Sequence, residues 1–223
     1  MRSDSKLNDE VLATIWYQIM NTAPFEHPDL GQWLRDERDT DILPQPGYVG
    51  ANYRPGGTLL VAQNPGMFRG SRLDADDDPY YTALTNMKEA VPDKIAAFHN
   101  LNRVYAAVAP YWHYYKKVLK PVFDALKLTL PDVAHINLVK WRSKSYIRKA
   151  LYDLSWRSHT CAQLRELAPG FIVALGEGTK KALCRRYTGT TEIEVVPRTF
   201  GDKYDSPGKL AGLRRLEQHR INV

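Results

Sequence analysis

The chain contains 223 residues, of which 43% are hydrophobic, so it can bury the core of one large domain. Its 31 basic and 25 acidic residues give a net charge of +6, which modestly favours a polyanionic partner. Its two cysteines exclude a disulfide framework, and no apolar run is long enough to span a membrane, so we expect a soluble, cytoplasmic protein that acts as a monomer.

The first 57 residues are expected to form a loop-rich lead-in that contains one helix. Residues 7–20 carry apolar side chains near helical spacing, at Leu7, Val11, Ile15 and Ile19. Prolines and glycines then interrupt residues 21–57. Because no repeat, low-complexity tract or convincing domain boundary follows, residues 1–223 are expected to form a single domain.

Beyond the lead-in, short apolar strands alternate with helical patterns. Strands are predicted at 58–62, 134–138, 171–175 and 192–196. Helices are predicted around 80–90, 95–108, 111–127, 147–167, 178–187 and 207–219. Such alternation predicts a parallel sheet whose two faces are covered by helices.

The most informative segment is the strand at 58–62 and the turn after it, Gln63-Asn64-Pro65-Gly66. A polar turn at the carboxyl end of a parallel strand lies where open α/β sheets bind ligands. Asn-Pro-Gly also suits an ordinary tight turn, so this segment alone does not identify a site.

The strand at 134–138 brings a second amide, Asn137, to its carboxyl end. An asparagine side chain carries both hydrogen-bond donors and an acceptor, which match the edge of a pyrimidine. The alternative is an asparagine that only turns the chain. We expect Asn64 and Asn137 to converge on one pocket, because the carboxyl ends of parallel strands meet at one edge of a sheet.

These segments resemble motifs of the uracil-DNA glycosylase superfamily. The first strand and its Asn-Pro-Gly turn resemble the first active-site motif, and residues 135–142 resemble the N-V-V-K-C-R-P segment of the iron–sulfur members. Residues 171–179 resemble the later strand–glycine–helix element of the family. The resemblance spans about residues 55–200 and implies a three-layer α/β/α sandwich with a central four-stranded parallel sheet.

The resemblance also implies an activity, the hydrolysis of the N-glycosidic bond of uracil or a related deaminated or damaged base in DNA during base excision repair. Asn64 would orient the water, and Asn137 would read the extruded base. The rest of the base pocket would be formed by Ala62, Gln63, Pro65, Gly66, Phe68 and Tyr80. Tyr80 follows Pro79 and would stack on the base as the family's phenylalanine does, or else pack in the core, with Phe68 as the competing candidate.

A basic segment follows Asn137 directly and is expected to contact DNA phosphates. The expected phosphate-binding residues are Lys140, Arg142, Ser143, Lys144, Arg148 and, after the last strand, Arg198. A solvated loop and helix start is the alternative interpretation of this segment.

The sequence departs from the family pattern in two places. Trp141 occupies a cluster-cysteine position, and two cysteines cannot hold an iron–sulfur cluster, so we expect no metal and no cofactor. The family's His-Pro-Ser motif is also missing, since residues 195–202 contain no histidine, although Arg198 or Lys203 could supply positive charge.

Two other functions remain open. The missing histidine favours a nucleobase- or DNA-binding protein that has lost efficient chemistry. An unrelated α/β enzyme acting on nucleotides is the other, but the sequence has no glycine-rich phosphate-binding loop of either common pattern.

Overall fold

The protein is described by a computed structural model that covers residues 6–22, 43–65, 79–90, 92–142, 149–198 and 206–222. It is an α/β protein with one mixed sheet, roughly arranged as a three-layer sandwich. The strands are β1 (Tyr48–Val49), β2 (Thr58–Ala62), β3 (Val133–Asn137), β4 (Phe171–Leu175) and β5 (Glu192–Val196).

The helices of the described ranges connect and cover these strands. They are α1 (Asp9–Met20), α2 (Pro79–Glu89), α3 (Lys94–Val108), α4 (Lys120–Leu126), α5 (Lys149–Ser155), α6 (Cys161–Leu167), α7 (Glu177–Cys184) and α8 (Pro207–Asn222). Single-turn 3₁₀ segments lie at Ala109–Tyr111 and Leu130–Asp132, and π-helical segments at Tyr115–Leu119 and Trp156–Thr160.

The sheet has the order β1-β3-β2-β4-β5. Strands β2, β3, β4 and β5 run parallel, as predicted, but β1 pairs antiparallel with β3, so the prediction of four parallel strands alone is wrong. Only two residues long, β1 lies in the proline- and glycine-rich lead-in and carries no strand periodicity. Gly47 makes this pairing possible, because its φ is +118° and a β-carbon there would lie 2.5 Å from the His135 carbonyl oxygen.

The central strands are buried almost throughout. All five residues of β3 and of β4 are buried, and in β2 only Thr58 is partly exposed. Such continuous burial is expected of parallel strands with helices on both faces. It explains why uninterrupted apolar runs located these strands in the sequence.

The segment predicted as one helix at 111–127 has a π-helical turn that gives way to α4. Pro121 lies at the start of α4 and has no N–H to donate to the Lys117 carbonyl four residues earlier. The Lys209 amine of α8 donates to that carbonyl over 3.0 Å, so a neighbouring helix supplies the missing hydrogen bond.

Candidate functional site

The two predicted asparagines follow neighbouring parallel strands. Ala62 of β2 lies opposite Asn137 of β3 in the sheet register. The pairing continues past the strands, because the Leu138 and Val139 N–H groups donate to the Ala62 and Gln63 carbonyls, both over 2.9 Å. Asn64 and Asn137 therefore lie at the same edge of the sheet on adjacent strands; that they share one pocket stays a prediction.

The other described residues of the first turn lie at the same edge. Ala62 and Pro65 are buried, whereas Gln63 and Asn64 are partly exposed. The Asn64 amide nitrogen donates to the Pro65 carbonyl over 3.4 Å. The Gln63 side-chain oxygen lies 3.6 Å from where a β-carbon of Gly178 would stand, which places it beside the first turn of α7. Gly66 and Phe68 lie outside the described residues.

His135 lies beneath Asn137 on the same face of β3, because alternate residues of a strand point to the same side. Its Nδ1 is 3.0 Å from the Tyr105 hydroxyl and its Nε2 is 3.4 Å from the Tyr114 hydroxyl. Burial, together with the positive charges of Lys140 and Arg198, lowers the pKa of His135 to about 4. This imidazole is therefore neutral at neutral pH. The sequence carried a signal for its position, the two-residue spacing from Asn137, which the prediction did not use.

The structure corrects the expectation for Tyr80. Its side chain is buried, and its ring packs edge-on against Tyr105 and Trp112, with centroid distances of 5.5 and 5.3 Å. A ring enclosed in this way has no free face for a base, so the core packing left open as the alternative is the arrangement observed. In the sequence, an aromatic residue at the start of a helix looks the same whether its ring stacks on a base or packs in the core.

The structure also corrects the expectation for Lys140. Its side chain is fully buried, and its amine donates to the backbone carbonyl of Asn137. A side chain in this position does not reach a DNA phosphate. Burial holds the pKa of Lys140 well below its usual range, because an ammonium without water or a carboxylate is strongly disfavoured.

A polar face of the helix that runs from α5 into α6 packs against the residues after β3. Ser155, His159 and Gln163 follow one another at four-residue spacing and are all buried. Thr160 donates to the Leu138 carbonyl over 3.0 Å, and the Gln163 amide donates to the Pro46 carbonyl over 2.8 Å. Because π-helical turns shift side chains out of helical register, the turn at 156–160 was not visible in the periodicity.

Several polar atoms of this region are buried without a hydrogen-bond partner among the described residues. They are Trp141 Nε1, Ser155 Oγ, Gln163 Oε1 and both ring nitrogens of His159. The Trp141 and His159 rings meet at a centroid distance of 5.8 Å. Burial and then the charge of Lys140 lower the pKa of His159 to about 4, so this second imidazole is also neutral at neutral pH.

Arg198 brings positive charge to the same edge. It follows β5, and its guanidinium carbon lies 5.1 Å from the centroid of the Tyr114 ring. Its positive charge helps to lower the pKa of His135 in β3, although β2 and β4 lie between β3 and β5 in the sheet. Arg198 therefore lies over Tyr114, close enough to His135 for its charge to act on that imidazole. Arg142 is partly buried, and the other expected phosphate-binding residues, Ser143, Lys144 and Arg148, lie outside the described residues, as does Lys203.

Within the described ranges, no group of three or more His, Cys, Asp or Glu side chains could hold a metal ion. None of the helices described is long and apolar enough to cross a lipid bilayer.

Comparison with protein-family models and with curated proteins finds no match to this chain.

Proposed function

We propose that the protein is a monomeric, intracellular DNA glycosylase that hydrolyses the N-glycosidic bond of uracil or a related deaminated or damaged base, with no metal or cofactor. The observation that carries this proposal is the register that sets Ala62 opposite Asn137, because it brings the Asn64 turn and Asn137 to one edge of the sheet. Ligands bind at this edge in open α/β folds.

Asn64 orients the water in this reaction. A neutral amide does not accept a proton at physiological pH, so its carbonyl oxygen holds a water hydrogen rather than removing it. Such a group suits a dissociative reaction, in which the C1′–N bond breaks before the water oxygen bonds to C1′. The bonding pair leaves with the base, which gains a proton while the water loses one to solvent.

Asn137 and Arg198 act on the departing base. The Asn137 amide offers donors and an acceptor to the base edge, and a buried amide left unpaired by the wrong base makes that base unfavourable. The guanidinium of Arg198 supports the anionic leaving group, since positive charge at the place where negative charge develops lowers the barrier. The position of Arg198 over Tyr114 supports this role.

A binding protein without chemistry is the second candidate. It is favoured by the two buried histidines, because His135 contacts two tyrosine hydroxyls and both imidazoles are held neutral. Neither is available as an exposed acid or base at the asparagine edge. An enzyme of this kind must depend on oriented water and on Arg198, and should therefore be slow.

Base release from defined oligonucleotides tests the proposal. Single- and double-stranded DNA carrying uracil, hypoxanthine, xanthine or hydroxymethyluracil is incubated with the protein, and abasic sites are revealed by alkaline strand cleavage. We expect release of at least one of these bases. Tight binding to all of the oligonucleotides with release of none would favour the binding protein instead.

Asn137→Ala should reduce the discrimination between the preferred base and the others. Loss of a hydrogen-bonding side chain that leaves the base edge unpaired costs about 1–3 kcal/mol, or roughly 5- to 150-fold. The control is Asn86→Ala, which removes an exposed asparagine of α2. Equal discrimination by wild type and Asn137→Ala would assign base reading to another residue.

A further inference from the structure

Lys140 is the one side chain of the described residues that is long, cationic by type and completely buried. No carboxylate in the described ranges forms an ion pair with it, and its amine donates to the Asn137 carbonyl. Burial holds the pKa of Lys140 well below its usual range. The amine carries N–H donors in either protonation state, so its bond to the Asn137 carbonyl does not depend on its charge.

With the hydrogen bond from Lys140, both polar atoms of one peptide group have a partner. The Asn137–Leu138 peptide donates its N–H to the Ala62 carbonyl over 2.9 Å, and its carbonyl accepts from the Lys140 amine. With both ends of the peptide bonded, its plane cannot rotate freely. The orientation of this plane fixes the backbone of Asn137 on its carboxyl side, and hence the direction of its side chain.

The neighbouring carbonyls of the turn have partners of their own. The Leu138 carbonyl accepts from the Thr160 hydroxyl over 3.0 Å, and the Lys140 carbonyl accepts from the Gln45 N–H over 2.9 Å. Lys140 therefore provides the hydrogen bond that is specific to Asn137, whereas Thr160 provides an equivalent one a single peptide further along. These two residues form a matched pair for an experiment.

We propose that Lys140 is a positioning residue, whose amine holds the Asn137 carbonyl and so aims the Asn137 side chain at the base. The inference rests on the proposed function of Asn137 as the base reader. Lys140 itself does not touch the substrate.

Lys140→Met tests this role, because methionine has a similar length, cannot donate a hydrogen bond and suits a buried site. We expect its single-turnover rate of base release to fall between about tenfold and 10²-fold, since a small misplacement of a reacting group has an effect of this size. Affinity for the same DNA should stay within about twofold, because the phosphate-binding residues are unchanged. Lys140→Gln, which retains a neutral but shorter donor, should fall between wild type and Lys140→Met.

Thr160→Val is the control. It removes a buried hydrogen bond from the adjacent carbonyl and should lower the melting temperature without a comparable loss of rate. Equal losses of rate in Thr160→Val and Lys140→Met would show that general loosening of the turn is responsible, and would overturn the proposal. Covalent trapping of Lys140 to abasic DNA by borohydride would also overturn it, because the amine would then be a nucleophile.

A readout that does not need activity separates this inference from the proposed function. In protein labelled with ¹⁵N-asparagine, the Asn137 side-chain amide resonances should shift in Lys140→Met and stay in place in Thr160→Val. If wild type releases no base but these shifts occur, the glycosylase function fails while the positioning of Asn137 by Lys140 stands. Unmoved Asn137 resonances in Lys140→Met would overturn the positioning role even in an active enzyme.

Discussion

The positive charge of Lys140 is one cause of the low pKa values of two buried imidazoles, those of His135 and His159. Burial is the larger cause for both, and each pKa falls to about 4. The sequence located neither residue as functional, because a histidine within an apolar strand or a helix gives no sign of its partners. What periodicity could show is only that His135 shares a strand face with Asn137.

These histidines should make the folded protein sensitive to acid. Each is neutral when folded and takes up a proton near pH 6.5 when unfolded, so between about pH 6.5 and 4 the unfolded chain binds more protons. The free energy of unfolding therefore falls as the pH is lowered through this window. The expected loss is about 3 kcal/mol for each histidine.

His159→Leu isolates one of these contributions. It should be as stable as wild type or more stable at pH 7, because it also removes two buried nitrogens that have no partner among the described residues. Urea unfolding between pH 7 and pH 4.5 should then show a flatter dependence than wild type. Parallel curves for wild type and His159→Leu would assign the acid sensitivity to other groups.

At the scale of elements, the apolar runs located β2, β4 and β5 at their observed residues, and placed β3 one residue too late. Strands that are buried on both faces appear in the sequence as uninterrupted apolar runs, and this is why they could be located. The short β1 and the two π-helical segments were missed for physical reasons. A two-residue strand has no period, and a π-helical turn depends on local hydrogen bonding that the side-chain pattern does not record.

An ion pair joins α5 to the residues after α7. The Arg186 guanidinium donates twice to Asp153 Oδ1, over 3.0 and 2.7 Å, and Lys149 donates to Oδ2 over 2.6 Å. These hydrogen bonds, first that of Lys149 and then that of Arg186, hold the pKa of Asp153 below its usual range. Lys149 is 84% exposed and Arg186 only 13%, so solvent screens the lysine interaction far more.

Arg186→Met should therefore destabilise the protein by about 1–2 kcal/mol, whereas Lys149→Met should change stability by about 0.5 kcal/mol or less. Chemical unfolding at pH 7 measures both. Because the pKa of Asp153 is lowered by folding, the pair contributes above the ordinary carboxyl pKa and is lost as the pH falls through the folded value. A larger loss in Lys149→Met than in Arg186→Met would reverse this ranking.

At the scale of the whole molecule, the sequence predicted the edge of the sheet at which Asn64 and Asn137 lie, but not the burial around them. Asn64 and Asn137 were found because polar residues that end apolar strands stand out. Lys140 was wrongly expected to face DNA, because its burial depends on a distant helix, α5 with α6, folding over the turn. Tyr80 was misjudged for the same reason, since contacts with α3 and Trp112 enclose it.

The net charge of +6 leads to a prediction at the scale of the whole molecule. If the basic segment after Asn137 binds phosphates, replacing Arg142, Lys144 and Arg148 by Ala should weaken DNA binding about equally for all sequences. The slope of log affinity against log salt should fall by about 1 for each phosphate that is no longer neutralised. The control replaces three exposed arginines elsewhere, Arg103, Arg165 and Arg185. If both triple variants had the same slope, the salt dependence of DNA binding would reflect the net charge alone and not this basic segment.

The role of Asn64 is tested most directly by comparing base release by wild type, Asn64→Ala and Asn86→Ala on the preferred oligonucleotide. Because water positioning acts on the transition state, Asn64→Ala should lose about 10²–10³ in rate while its affinity for the same DNA stays largely intact. Asn86→Ala, an exposed change on α2, should match wild type in both. Base release by Asn64→Ala at the wild-type rate would contradict the proposed function of this asparagine.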